Sequence, residues 1–409
     1  MTDIAIIGAG PHALTLVTHL LQKRKDMARR FLVFDPSGTW MQKWHHQFAT
    51  LAIPHLRSPA VHHPDPHAGA LRNFASYRHR ELFPPYDRPG TRLFDDFCQD
   101  VVQRWQLQDR VYQARVEHLY LEPQSQSRPF HLILDNGQSV WTRRVVLATG
   151  SGPAHLPDWV KTIPTPYPSD CLCHASDLDL RQMTLAGETI LIVGSGLTSG
   201  HLAIGAVEQG ARVILMARRH YYDKIFDAEP GWLGPKYLKG FQAEPSWQQR
   251  SHMIQTARNG GSLTPELMLQ LRRLERQGQV TCYEQCQVQQ AHWLGQQWQV
   301  RCHLQTQHTC IDHLPIQRIW LATGTRLALP DHPLLQDIQA TFPTTWIQGL
   351  PVLDEHLRWP GCELFLMGSG AGLQIGPVAR NLAGARMARD RIVPALTKPT
   401  LALTVAPSA

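Results

Sequence analysis

The chain has 409 residues, 43% hydrophobic and 18% charged, which is enough for two or three domains with cores of their own. Lys and Arg number 40 against 33 Asp and Glu, a net charge of +7, and no tract interleaves basic with aromatic residues, so no nucleic-acid partner is expected. The most membrane-like stretch, Ile190 to Val207, is broken by Gly194, Ser195, Gly196, Gly200 and His201, and no other run approaches the roughly 18 apolar residues of a transmembrane segment. A core strand starting at Ile4 leaves no room for a secretory signal, and eight cysteines without one predict reduced thiols and a cytoplasmic location.

Ile4 to Ile7 is a short apolar run that predicts a buried parallel strand. Gly8, Gly10 and Ala13 follow in G-x-G-x-x-A spacing, with Pro11 and His12 between them. The first glycine permits a tight turn, the second lets backbone approach a pyrophosphate, and the small third residue lets the next helix sit close to the strand. That helix, about Ala13 to Lys25, aims its N-terminal amides at phosphate. A second strand, Phe31 to Phe34, ends at Asp35, whose carboxylate can accept hydrogen bonds from a ribose. Strand, turn, helix, strand and acid in this order predict a dinucleotide site.

From Met41 to Asp87 the chain has no period and is rich in Pro, His and aromatic residues, which predicts a lining around the bound dinucleotide. None of its histidines sits in a metal-ligand motif, and no metal is expected. Arg92 to Trp105 has helical spacing; strands are predicted at Val111 to Leu121, Phe130 to Leu134 and Val140 to Leu147, with Asp135-Asn136-Gly137 as a hairpin turn. The last strand ends in Ala148-Thr149-Gly150, small residues that allow close backbone approach. A Pro-rich linker, Gly152 to Pro168, marks a domain boundary, and Cys171-Leu172-Cys173 lacks the C-x-x-C redox spacing, so these thiols read as structural.

The opening pattern then repeats. Thr189 to Val193 predicts a strand, Gly194-Ser195-Gly196-Leu197-Thr198-Ser199 a second turn, His201 to Gln209 its helix and Arg212 to Met216 the next strand. This copy ends in Ala217-Arg218-Arg219 where the first has Asp35. A carboxylate repels a 2′-phosphate and guanidinium groups bind it, so the first site suits FAD and the second NADPH. Asp227 to Trp247 is again aperiodic. Beyond it come a helix at Glu266 to Gln277 and strands at Val280 to Tyr283, Trp298 to Leu304 and Ile316 to Leu321, ending in Ala322-Thr323-Gly324. Gly8 precedes Gly150 by 142 residues and Gly194 precedes Gly324 by 130, the mark of an internal duplication. A strand at Glu363 to Met367 leads through Gly368 to Gly376-Pro377 into a helix at Val378 to Arg389, and residues from about Pro394 onward read as a loose tail.

Two such folds, each with a β-meander and an Ala-Thr-Gly ending, resemble the α/β flavoproteins of the glutathione reductase type, with two Rossmann-type dinucleotide-binding domains. Gly38-Thr39-Trp40, both Ala-Thr-Gly segments, the two glycine turns and Gly376-Pro377 make the chain most similar to flavin-containing monooxygenases and lysine/ornithine N-hydroxylases. The resemblance implies an FAD-binding domain of residues 1–158 and 326–395, an NADPH-binding domain of 159–325 and a tail at 396–409. It implies that NADPH reduces FAD and that the flavin, through a C4a-hydroperoxide, oxygenates a small molecule with molecular oxygen. Trp40, Val116, Gly150, Gly324 and Gly376 complete the expected cofactor contacts, with the helix after Gly376 pointing at the flavin's pyrimidine edge. Arg57 is the candidate catalytic residue, placed to face the flavin or the nicotinamide side of NADPH. The aromatic, acid-poor walls at Trp40 to Pro66 and Asp227 to Trp247 disfavour a small cationic amino acid as substrate. Two other readings use the same cofactors: an NADPH-dependent reductase of a quinone or disulfide, and a redox-sensing or interaction protein with little turnover.

Overall fold

The computed structural model describes residues 2–122, 125, 129–150, 152–258, 260–304, 311 and 313–401. Two five-stranded parallel sheets dominate it. In the first, Ile4–Ile7 lies between Phe31–Asp35 and Arg144–Leu147, with Val111–Gln113 and Leu364–Leu366 at the edges. In the second, Thr189–Val193 lies between Arg212–Met216 and Arg318–Leu321, with Val280–Tyr283 and Leu172–His174 at the edges. The strand order is the same in both, as the duplicated sequence pattern predicts. Only the source of one edge differs: a strand from the C-terminal part of the chain completes the first sheet, and the segment after the Pro-rich linker completes the second.

Ile4–Ile7 is buried throughout, and Ile190, Leu191 and Ile192 are buried in its counterpart; on the second sheet Ile190 and Ile192 face helices, and Leu191 faces the residues of an antiparallel hairpin such as Val288 and Val300. Helix Pro11–Lys23 buries Ala13, Leu14, Leu16, Val17 and Leu20, and packs against helix Leu382–Thr397. Helix Leu197–Glu208 takes the matching place on the second sheet and packs against Pro265–Arg276, whose N-cap Thr264 accepts a hydrogen bond from the Leu267 amide. The two passages between the sheets pair with each other. Ala154 bridges Thr325, His155 N–H donates to Gly324 O at 2.9 Å, and Arg326 N–H donates to Pro153 O at 3.0 Å. No helix of the described residues is long and apolar enough to cross a membrane.

Several boundaries differ from the sequence expectation. Val111 to Leu121 divides into Val111–Gln113, in the parallel sheet, and Val116–Leu121, in an antiparallel three-stranded meander with Phe130–Leu134 and Ser139–Thr142. Val140 to Leu147 divides in the same way, because one extended run serves two sheets in succession. The second meander contains a strand the sequence reading passed over, Cys286–Trp293, paired with Trp298–Leu304. The aperiodic segments also hold helices, Gln42–Thr50 in one and Pro235–Ala243 in the other, with Trp247–Arg258 beginning at the end of the latter. Gln42–Thr50 starts without a capping side chain after Met41, which is left-handed at φ 65°, so no start signal marks it. The final helix begins at Leu382, not Val378: Gly376, at φ 94° and ψ −167°, breaks the chain out of a one-turn helix, and residues 377–381 form a turn. That helix continues through Pro394 to Thr397, with Ala395 and Leu396 buried, so the residues just after Pro394 are packed. Residues 402–409 of the expected tail lie outside the described residues.

His63 is fully buried, with Nε2 3.1 Å from Ala68 O and its ring edge-on to Phe97. Burial pushes its imidazole down to about 4, and it does the same to His12, His62 and His201. Between the unfolded value of about 6.5 and the folded one, the unfolded chain binds a proton that the folded chain does not. Stability contributed by these histidines is therefore complete above about pH 6.5 and declines as pH falls towards 4. Complete titration of His63 corresponds to about 3 kcal/mol as an order of magnitude. Urea midpoints should be lower at about pH 5 than at about pH 7, and a constant midpoint would contradict this account.

Candidate functional site

Each glycine turn is shaped by contact with the strand beside it. Gly8 N–H donates to Phe34 O at 2.8 Å, and Gly194 N–H to Met216 O at 2.9 Å. A Cβ on Gly8 would lie 2.5 Å from Ala148 O, and one on Gly194 would lie 2.5 Å from Ala322 O. The first glycine of each turn thus rests on the alanine of the corresponding Ala-Thr-Gly ending. Gly8 also has φ 102°, which L side chains rarely adopt. Gly10, in contrast, caps helix Pro11–Lys23, and a Cβ there meets nothing within 4 Å. The space over Gly10 and the first helical amides is what a pyrophosphate requires. Ala13 is fully buried beneath this turn.

Asp35 ends the second strand of the first sheet. Its Oδ2 accepts from Ala9 N–H at 3.0 Å, and its Oδ1 accepts from Ser37 N–H at 3.0 Å and Ser37 Oγ at 2.6 Å. These bonds aim the carboxylate across the mouth of the turn and leave lone-pair capacity for a ribose hydroxyl. The Trp40 indole is buried and donates to Leu107 O at 2.8 Å, so the ring anchors the loop that follows Asp35. Trp40, with Gly38, Met41, His45 and Cys98, also lines a cavity of about 270 Å³. His12 Nε2 lies 3.2 Å from Arg380 O; with its imidazole lowered to about 4 by burial, the neutral ring donates this bond beside the positive end of its own helix. Val116 is buried opposite Leu134 at the start of the meander. Gly150, at φ 83°, opens onto a cavity of about 200 Å³ shared with Leu147, Thr149, Leu366, Met367 and Ser369, at the carboxyl ends of the strands. That is where open parallel sheets take their ligands. Gly376 lies beside Phe241, with its Cβ position 3.6 Å from the ring.

In the second unit Gly196 caps helix Leu197–Glu208, and buried Ser199 returns its hydroxyl to Gly196 O at 2.7 Å. Arg218 is exposed and Arg219 half-buried, and neither forms an ion pair among the described residues. Gly324, at φ 77°, has its carbonyl 3.0 Å from Nε2 of buried His174, whose Nδ1 is 2.8 Å from Ser176 Oγ. The Cys171 and Cys173 thiols are pushed up by burial and by Asp170, opposite to what an attacking thiolate needs.

Arg57, the candidate catalytic residue, is held by protein groups on every nitrogen. Nε donates to Ile225 O at 2.7 Å, Nη2 to Lys224 O at 2.6 Å and to Ser262 Oγ at 2.7 Å, and Nη1 lies 3.4 Å from Ser262 O and 3.6 Å from Asp227 Oδ1. All its nitrogens are engaged by protein, and the side chain straps the 54–60 segment to the second unit. Asp227 is the centre of a larger node, since Oδ2 also pairs with Arg258 and, at 3.0 Å, with Arg380. The sequence reading missed this node because its members are more than 120 positions apart or separated by unpatterned chain. It also missed Gly260-Gly261, a doublet visible in the sequence, which packs on Gly196.

A family model described as L-lysine 6-monooxygenase/L-ornithine 5-monooxygenase matches residues 1–327. The L-lysine N6-monooxygenase of Escherichia coli is 25% identical over 147 residues, 34% of this chain and 32% of that enzyme, so the chain aligns with about a third of this curated relative. Among solved structures, the FAD-bound cadaverine monooxygenase DfoA of Erwinia amylovora superposes with a TM-score of 0.77 at 17% identity, over 100% of this chain and 99% of its own. The ornithine hydroxylase PvdA of Pseudomonas aeruginosa, in its reduced form, gives 0.78 at 15%, over 97% and 98%. The ornithine N-hydroxylase KtzI of Kutzneria sp. 744, with reduced FAD, NADP+ and L-ornithine, gives 0.76 at 16%, over 98% and 100%. The match over residues 1–327, on a fold with two dinucleotide turns, settles the family: the chain belongs to the L-lysine 6-monooxygenase/L-ornithine 5-monooxygenase family of FAD- and NADPH-dependent flavoprotein monooxygenases.

Proposed function

We propose that this protein N-hydroxylates a small primary amine, with FAD held by the first unit and NADPH by the second. The observation that carries the reading is the pair of matching glycine turns with opposite chemistry at the next strand end: Asp35 in one, ion-pair-free Arg218 and Arg219 in the other. Residues 1–158 and 326–395 then form the FAD-binding domain and 159–325 the NADPH-binding domain. Gly8, Gly10, Pro11, His12 and Ala13 shape the pyrophosphate cradle, and Asp35 takes the ribose. Gly194, Ser195, Gly196 and Ser199 do the same for NADPH, and the two arginines take its 2′-phosphate. Bound FAD, reduced by NADPH, supplies the electrons that split dioxygen, one atom going to the amine and the other to water.

This chain's residues position and enclose that chemistry. Arg57 and the Asp227 node hold the two units against each other, which limits water between them. The aromatic, acid-poor walls around the cleft were expected to disfavour a small cationic amino acid. Family membership revises the sequence expectation on this point, because the lysine and ornithine enzymes that name the family act on cationic amino acids. Cys98, Cys171, Cys173, Cys282, Cys286 and Cys362 form no disulfide among the described residues, in keeping with our reading of a cytoplasmic enzyme.

Purified protein should be yellow. Gly10→Ala should fold normally yet lose FAD, since its new methyl enters the space over the cradle, whereas Gly8→Ala should fail to reach the native state; FAD retention by Gly10→Ala would remove this turn from the site. Arg218→Ala or Arg219→Ala should raise KM for NADPH roughly 10- to 100-fold, the equivalent of a charge-assisted contact of about 1.5–3 kcal/mol, and leave NADH unchanged. Arg57→Ala should cost roughly 1–3 kcal/mol of stability, because it removes the donor to the Lys224 and Ile225 carbonyls and to Ser262 Oγ, while FAD content is retained. NADPH consumption, hydroxylamine and hydrogen peroxide should be measured together with cadaverine, lysine and ornithine. Hydroxylamine matching NADPH consumed for one of them supports the assignment, and peroxide alone with every amine tested counts against it.

A further inference from the structure

The two glycine turns differ in what lies over them. Gly10 faces open space, but Gly196 is met by the turn at Gly260-Gly261: a Cβ on Gly261 would be 3.3 Å from Gly196 Cα and 3.7 Å from its nitrogen. Gly261 has φ 112° and Gly260 φ 62°. The turn is pinned from three sides. Leu263, fully buried, donates its N–H to Tyr222 O at 2.9 Å and accepts from Lys224 N–H at 2.9 Å. Ser262 Oγ accepts from Arg57 across the two units at 2.7 Å. The guanidinium of Arg219 lies directly on this turn: a Cβ on Gly260 would overlap Nη2, with Cζ and Nη1 2.9 Å away. Arg218, the neighbouring guanidinium, is exposed and has no such seat.

From this contact we infer that Gly260 is a specificity-determining position: having no side chain, it seats the Arg219 guanidinium beside the phosphate turn, where it selects NADPH over NADH. The inference rests on the proposed assignment of the second glycine turn to NADPH. A methyl at Gly260 pushes aside the mobile end of an arginine and leaves the backbone where it is, so the fold survives and the arginine is displaced. Because an alanine at φ 62° is itself strained, asparagine, which tolerates the left-handed region, serves as the second variant.

The experiment compares kcat/KM for NADPH and NADH in the FAD-loaded enzyme and in Gly260→Ala, Gly260→Asn, Arg218→Ala, Arg219→Ala and Gly260→Asn/Arg219→Ala, with FAD content and thermal midpoint as controls. Both Gly260 variants should lower the NADPH-to-NADH ratio at least tenfold with NADH kinetics unchanged. The double variant should be no worse than Arg219→Ala alone, since both changes remove one contact. An unchanged ratio, or equal weakening of both coenzymes, would overturn the inference. If Arg219→Ala lowers the ratio and the Gly260 variants do not, Gly260 is eliminated and the NADPH site stands. If neither Arg218→Ala nor Arg219→Ala moves it, the site assignment and the inference fall together.

Discussion

The structure depends on one close approach made twice, a glycine resting on the carbonyl of an alanine at the end of the neighbouring strand. Gly8 on Ala148 and Gly194 on Ala322 leave no room for a side chain. This contact sets the height of each turn over its sheet and so the place where the next helix begins. Helix start, open amides and second strand end then follow from short-range geometry. The two Ala-Thr-Gly endings are the other half of that contact, which is why they accompany the two glycine turns.

The units are joined by a different kind of interaction. Two antiparallel linkers cross at Ala154 and Thr325, and away from that crossing Arg57, Arg258 and Arg380 converge on Asp227. Apolar contact adds to this, since Leu51 and Ile53 of the first unit's inserted segment sit in the core of the second. Fully buried Arg88 reaches Glu266 across the same boundary at 2.7 Å. Removing one member of such a pair leaves a buried charge without its partner, so these contacts favour one relative placement of the units more than they add net stability. The chain thus keeps its glycine turns on the sheets and sets the two units against each other through charged and apolar contacts.

Much of the architecture could be read from the chain because its determinants are local. The runs Ile4 to Ile7 and Thr189 to Val193, the glycine spacings, and the contrast of Asp35 with Arg218-Arg219 each lie within about forty residues and carry their own physical reason. The helix Gln42–Thr50 and the true start of the last helix were not legible, because the first has no capping side chain and the second is delayed by the backbone at Gly376. Strands that pass from a meander into a parallel sheet look continuous in one dimension, since the break is a change of partner and not of pattern.

By itself, then, the sequence determined the two nucleotide folds and their order. It did not show the contacts of Arg57, whose guanidinium donates to carbonyls about 167 positions away. Nor did it show that Gly260 lies under Arg219 or that Asp227 gathers three arginines. Those facts depend on which loops meet when the two sheets are set side by side. Such meetings leave no periodicity in the chain, because each partner's sequence is constrained by a contact whose other half is far away.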